Sequence, residues 1–93
     1  MPLEIEPEGP CWDALQEALA AAWDAFDAEN TAAAVEFLNA RSLCAAGSGG
    51  DACRAAALSA YRARLAAARN VLNAALEAAE TAYLVCEGFI EQP

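Results

Sequence analysis

The sequence contains no lysine and no histidine, and its five arginines face 14 acidic residues, for a formal net charge of −9. The absence of histidine removes the commonest general base, the commonest metal ligand and the common nucleophilic triads. The scarcity of positive charge excludes the basic surface with which proteins bind nucleic acids or anionic membranes. We therefore expect no enzymatic activity, no catalytic residue, no metal, no cofactor and no nucleic-acid partner.

Long apolar runs and targeting patterns are also missing. The first ten residues are acidic and proline-rich, so they lack the basic and apolar regions of a signal peptide. No stretch reaches the roughly 18 large apolar residues of a membrane-spanning helix. We expect no membrane insertion and leave the compartment open. Four cysteines favour a secreted or oxidising location, whereas reduced cysteines would favour the cytoplasm.

Glycine and proline are confined to a few positions, and this confinement divides the chain. Three of the four prolines lie in residues 1–10, which we interpret as an extended acidic arm. Residues 11–46 and 52–87 contain neither glycine nor proline and are rich in alanine and leucine, which predicts two long helices. The glycine-rich residues 46–51 predict the turn between them, and residues 88–93 form a C-terminal tail.

The predicted fold is therefore all-α, a long antiparallel helical hairpin over residues 11–87. It has one weak point. Asn30 and Thr31 are poor helix formers, and Thr31 could cap a new helix after a break. A break near Asn30-Thr31 would fold the first segment back into a three-helix bundle, which is the alternative to the two-helix hairpin.

The four cysteines share one register in such a hairpin. Residues that face each other across an antiparallel pair have a constant sum of sequence numbers, and Cys11 with Cys86 has the same sum as Cys44 with Cys53. Cys11 and Cys44 would lie about 50 Å apart on one straight helix, so they cannot pair. We predict one disulfide at each end of the hairpin. The alternative is four reduced cysteines that act as small apolar residues.

More bulky apolar residues are present than one seam between two helices can bury. Seam positions on the first helix recur every 11 residues, at Cys11, Ala22, Ala33 and Cys44. Large side chains that this seam does not use lie beside it: Trp12, Leu19, Trp23 and Leu38. An exposed apolar stripe of this size is typical of an interface. We predict that it docks on a helical protein partner or on a second copy, as a homodimeric four-helix bundle.

Acidic residues and arginines are separated along the chain. The first forty residues hold nine acidic residues and no arginine, whereas four of the five arginines lie in the second predicted helix. In the hairpin register we expect Arg69 to lie near Asp27 and Glu29. Arg62 is expected near Glu36, and such surface pairs each contribute little to stability.

Late in the second helix, Tyr83-Leu84-Val85-Cys86-Glu87 has the form Tyr-x-x-x-Asp/Glu. With two long helices, a glycine-containing turn and 93 residues, the chain resembles the WXG100 (ESX-type) substrates and small helical partner proteins of bacterial type VII secretion. The Trp-x-Gly motif that this family carries at its turn is absent here. The resemblance implies a helical partner or substrate of such a secretion system, with Tyr83 and Glu87 as its export motif.

Two functions remain open at this point. The first is a non-enzymatic helical protein–protein interaction module, as a partner or substrate of a type VII-like system. The second is an acidic inhibitor, such as an immunity, anti-defence or nucleic-acid-mimic protein, that blocks a basic site on a nuclease or toxin. Salt separates them, because mimicry weakens steeply with ionic strength and apolar helix docking does not.

Overall fold

The computed structural model describes residues 9–91, which form two antiparallel helices. Helix α1 spans Pro10–Ser42, helix α2 spans Asp51–Cys86, and a short 3₁₀ turn spans Ser48–Gly50 between them. The molecule measures 68 × 22 × 21 Å. Its radius of gyration is 20.2 Å, whereas a compact domain of this length has about 12 Å. The predicted all-α helical hairpin is confirmed.

Helix α1 begins at Pro10, one residue before its predicted start. Proline is favoured in the first turn of a helix, because it needs no amide hydrogen there and its φ is already set. Gly9 precedes it with a φ of 138°, which glycine adopts without steric cost. Pro10 therefore belongs to the helix and not to the predicted arm. Residues 1–8, the rest of that arm, lie outside the described residues.

Helix α1 runs without a break through Asn30 and Thr31, so the three-helix alternative is wrong. The weak helix propensity of these two residues costs only about 0.5 kcal/mol each relative to alanine. Packing against α2 on both sides of them outweighs that cost. Ala33, one turn further on, is only 1% exposed.

Helix α1 ends at Ser42, four residues before the predicted end at residue 46. Alanines at positions 45 and 46 favour helix, but the chain must reverse here so that Cys44 can reach Cys53. The amide of Leu43 donates to the carbonyl of Ala40 at 3.3 Å, and the amide of Cys44 donates to that of Arg41 at 3.1 Å, which closes the last turn. Tertiary closure of the hairpin therefore overrides local propensity at this position.

Helix α2 ends in a Schellman motif. The amide of Phe89 donates to the carbonyl of Leu84 at 2.9 Å, and the amide of Gly88 donates to Val85 at 3.1 Å. Gly88 has a φ of 82°, the left-handed conformation that this motif requires. The chain therefore leaves the helix at the predicted glycine, and residues 88–91 continue without regular structure.

The core is a narrow seam between the two helices. Its buried residues are mostly small: Ala22, Ala33, Ala68, Leu72, Ala79 and Tyr83. Alanine on both helices lets the two backbones approach closely, but it buries little apolar area per residue. Most large side chains of the hairpin therefore lie beside the seam rather than within it.

Candidate functional site: an aromatic face along the hairpin

Both ends of the seam are closed by disulfides. The Cα atoms are 5.8 Å apart in Cys11–Cys86 and 5.6 Å apart in Cys44–Cys53. These are the two pairs that the equal-sum register predicts. The alternative of four buried thiols does not fit, because Cys53 and Cys86 are exposed. The two covalent links hold α1 and α2 in one register along their whole length.

Aromatic pairs cross the seam near both ends. Trp12 meets Tyr83 edge to face, with ring centroids 6.0 Å apart, and Phe37 stacks on Tyr61 at 4.9 Å. Trp23 meets Phe26 of its own helix edge to face at 5.9 Å. Because aromatic pairs of these geometries attract beyond the area they bury, they hold one side of the seam together.

These contacts belong to two apolar stripes that lie on the same side of the hairpin. Residues three, four or seven positions apart lie on one side of a helix. The stripe on α1 consists of Trp12, Leu15, Leu19, Trp23, Phe26 and Phe37, with the polar Asn30 between the last two, and that on α2 of Leu58, Tyr61, Leu65, Leu72, Leu76 and Tyr83. We call the combined surface the aromatic face.

The predicted interface residues occupy this face and its edge. Trp12 and Leu19 are half-buried, whereas Trp23 is 48% and Leu38 is 59% exposed. Trp12 already packs on α2 through Tyr83, and Trp23 contacts the aromatic ring of its own helix. The structure therefore leaves Trp23 and Leu38 as the most exposed of the four predicted residues.

Sequence reasoning missed the half of the aromatic face that α2 supplies. The helical spacing of Leu58, Tyr61 and Leu65 predicts only a stripe that faces α1, and none of the four predicted interface residues lies on α2. In the structure these three side chains are half-buried and lie beside the seam, on the side of Phe37. The signal was present, because their stripe is offset from the cysteine positions that define the centre of the seam.

The opposite side of the seam is lined mainly by alanine. A groove of about 370 Å³ opens along the seam at mid-length and also reaches Phe26 and Leu72 of the aromatic face. Arg64 and Glu29 also line it. Nothing comparable to the aromatic stripes is present on this side within residues 9–91, so the two sides of the hairpin differ in chemistry.

The ion pairs across the seam centre on Arg64, and the predicted pairs of Arg69 and Arg62 are wrong. Arg64 Nε donates to Glu29 at 3.0 Å, and its guanidinium also binds Glu36. We call the register that the two disulfides set the cysteine register. In it Arg64 faces Ala33, and the two glutamates lie one turn to either side of that alanine. Arg62 lies on the outer side of α2 and Arg69 at the edge of the aromatic face, and neither forms an ion pair within the described part of the chain.

The Glu29 hydrogen bond raises the pKa of Arg64 and outweighs the opposing effect of desolvation, and Glu36 raises it further. A second arginine, Arg54, holds the turn. Its guanidinium donates to the carbonyl of Ala45 at 2.6 Å and to that of Gly47 at 2.5 Å, and it pairs with Asp51. Both arginines therefore serve the hairpin itself, which leaves the remaining surface strongly acidic.

The proposed export motif lies at the open end of the hairpin. Tyr83 is 7% exposed and packs on Trp12, and its buried hydroxyl has no hydrogen-bond partner among residues 9–91. Burial raises the pKa of this hydroxyl, and the charge of Glu87 raises it further. Glu87 follows directly after α2 and is exposed. Packing explains Tyr83 here, and an export role for both residues stays a prediction.

Within residues 9–91, no group of three or more Cys, Asp and Glu side chains is placed to hold a metal ion. In the same part of the chain, neither helix is long and apolar enough to cross a bilayer.

The fold and this surface define a class of protein: an acidic, disulfide-linked helical hairpin with a partly exposed aromatic face. No model of a known family, no curated protein and no solved structure matches the chain. Only the site itself therefore bears on its function.

Proposed function

We propose that this protein is a non-enzymatic interaction module that docks its aromatic face on another helical surface. The observation that carries this proposal is the exposure of Trp23 and Leu38, at 48% and 59%, on the edge of a continuous apolar face. Burying one large apolar side chain contributes roughly 1.5–3 kcal/mol. Covering Trp23 and Leu38 with a helical partner therefore stabilises the complex that forms.

We propose further that this module is a partner or substrate of a type VII-like secretion system. The support is the long hairpin with its glycine-containing turn, together with Tyr83 and Glu87 at the end of α2. Glu87 is exposed there and free to contact a receptor, while Tyr83 anchors the end of the helix on Trp12. A secretion locus beside the gene is the expected genomic context.

Site-specific photo-crosslinking in the native host tests the docking proposal. A benzophenone amino acid at Leu38, on the edge of the aromatic face, is expected to crosslink one helical protein or a second copy. The matched control places the same group at Ala28, which is exposed on the outer side of α1. Trp23→Glu should abolish the Leu38 product while helicity and both disulfides persist. Equal products from the two positions, or a Leu38 product that survives Trp23→Glu, would contradict the proposal.

A second candidate function has its own observation. Asp13, Glu17 and Asp24 are exposed on the outer side of α1 and form no ion pair within residues 9–91. Such a row could occupy a basic site on a nuclease or toxin, as an acidic inhibitor does. Binding of that kind would weaken steeply between low and moderate salt and would survive Trp23→Glu. Docking through the aromatic face predicts the reverse on both counts.

A further inference from the structure

We propose that a second copy of this chain covers the aromatic face, with both turns at the same end of a four-helix bundle. This inference rests on the proposed function, because it names the partner of the same face. Two copies of a hairpin can pack face to face with two-fold symmetry in two ways. The charged and apolar residues around the face distinguish them.

The two arrangements bring different helices together. In the same-end arrangement, the two-fold axis is parallel to the length of the hairpin. It keeps every residue at its own height and sets α1 of one copy on α2 of the other. In the opposite-end arrangement, the axis runs across the length and sets α1 on α1 and α2 on α2, with the turns at opposite ends. The disulfides fix the heights within each hairpin, so the opposing residues follow from the sequence numbers.

Two unpaired charges occupy equivalent edges of the aromatic face. Asp27 lies four residues after Trp23 on α1, and Arg69 lies four residues after Leu65 on α2. Both are exposed, and neither forms an ion pair within the part of the chain that the structure describes. In the cysteine register Asp27 lies at the height of Asn70, one residue from Arg69.

These charges favour the same-end arrangement. There, Asp27 of each copy meets Arg69 of the other, which forms two attractive pairs. In the opposite-end arrangement both residues lie near the middle of the dimer, because each is close to the midpoint between the two cysteines of its own helix. Asp27 would then meet Asp27 and Arg69 would meet Arg69. Like charges directly opposed are unfavourable.

The apolar residues favour the same arrangement. Trp23 lies at the height of Ala74, so in the same-end dimer it packs beside the half-buried Leu76 of the second copy. In the same dimer Leu38, which is 59% exposed, lies at the height of Ser59 of the second copy and packs on the Leu58 beside it. In the opposite-end dimer Trp23 would meet the Asn30 region of the other α1, where no large apolar side chain is present.

Asn30 supplies an independent indication. It is half-buried within the aromatic face, and its Oδ1 accepts no hydrogen bond from the described residues. In the same-end dimer the two Asn30 side chains lie at one height on either side of the axis, where their amides can pair. A polar pair at such a position fixes the register of a helical bundle. In the opposite-end dimer each Asn30 lies beside Phe26, which offers no hydrogen bond.

Charge reversal tests the arrangement on the intact chain. The variants are Asp27→Arg, Arg69→Asp and the double variant, studied by sedimentation velocity across a dilution series. Each single reversal turns two attractive contacts into two repulsive ones, so the dimer Kd should rise about tenfold or more. The double variant restores both pairs with opposite polarity and should return the Kd close to that of the wild type.

Asp24→Arg and Arg62→Asp are the matched controls, because they make the same charge changes on outer positions. They should leave the dimer Kd near its wild-type value. Single reversals without effect in a chain that Trp23→Glu dissociates would overturn the same-end arrangement in favour of the opposite-end one. A wild-type chain that stays monomeric would overturn the homodimer itself. The proposed function would survive that result if Leu38 crosslinks a different helical protein, and it would fail if Leu38 crosslinks nothing.

Discussion

Arg64 shows how the position of one residue around a helix decides which charges meet. It lies at the centre of the seam in the cysteine register, opposite Ala33, and so reaches Glu29 and Glu36 on either side. Arg62 and Arg69 are near in sequence and have the same charge. They lie more than a quarter turn away from the seam, because consecutive residues are rotated by about 100° around a helix. Distance along the chain is therefore a poor guide to pairing between helices.

Replacing Arg64 by methionine should destabilise the hairpin more than the same change at Arg62. Methionine keeps the apolar part of the side chain but leaves Glu29 and Glu36 without the cation that pairs with both of them. We expect a lower thermal midpoint for Arg64→Met than for Arg62→Met at low salt. The gap should narrow at high salt, since these pairs are partly exposed. Equal midpoints for the two variants at low salt would show that the Arg64 pairs contribute nothing.

At the level of secondary-structure elements, several interactions hold the connection between α1 and α2 in place. Arg54 binds two of its carbonyls, and the Cys44–Cys53 disulfide closes it. Gly50 is buried in it, directly against the carbonyl oxygen of Ala45. This network explains why α1 ends at Ser42 although alanines follow, because the carbonyls of residues 45 and 47 find their partner in Arg54 rather than in a helix.

Gly50→Ala should therefore destabilise the turn, whereas Gly49→Ala should not. A methyl group at Gly50 would fall inside van der Waals contact of the Ala45 carbonyl, a backbone atom that cannot move without the turn. At Gly49 the same methyl group would meet nothing within 4 Å. We expect Gly50→Ala to cost about 1–3 kcal/mol in urea unfolding, the usual cost of overpacking. A Gly49→Ala variant that loses as much stability would show that steric contact is not the cause.

At the scale of the whole molecule, the hairpin depends on its covalent ends. Two helices with a seam of small residues bury little apolar area, and a chain of this size is marginal without additional links. The disulfides supply that stabilisation by restricting the unfolded chain. They also hold the two stripes of the aromatic face at fixed heights relative to each other, which a pair of freely sliding helices would not do.

Removing the two disulfides separately should have unequal effects. Cys11–Cys86 spans 75 residues and Cys44–Cys53 spans nine. The loop-closure relation gives about 4.5 kcal/mol for the longer loop and about 2.5 kcal/mol for the shorter one. Urea unfolding of the Cys11→Ser/Cys86→Ser and Cys44→Ser/Cys53→Ser variants measures both values. A larger loss at the turn would mean that strain or local contacts, rather than loop entropy, dominate.

The two helices, the disulfide pairs and the register between the helices follow from the amino-acid sequence. Helix composition, the position of the glycines and the spacing of the cysteines are local or periodic features, and they depend on no unknown contact. The Schellman end at Gly88 belongs to the same group, because only glycine adopts its conformation without cost. The predicted interface of Trp12, Leu19, Trp23 and Leu38 was also accessible in this way, although its role stays a prediction.

Three other features depend on how the two helices pack: where α1 ends, which arginine bridges the helices, and which side of the seam the leucines of α2 occupy. Each depends on the angular position of side chains around two packed helices. That position shifts with every residue, whereas composition and propensity change slowly along the chain. For the same reason the helix propensities of Asn30 and Thr31 could not predict a continuous helix, because the packing that holds α1 straight comes from α2.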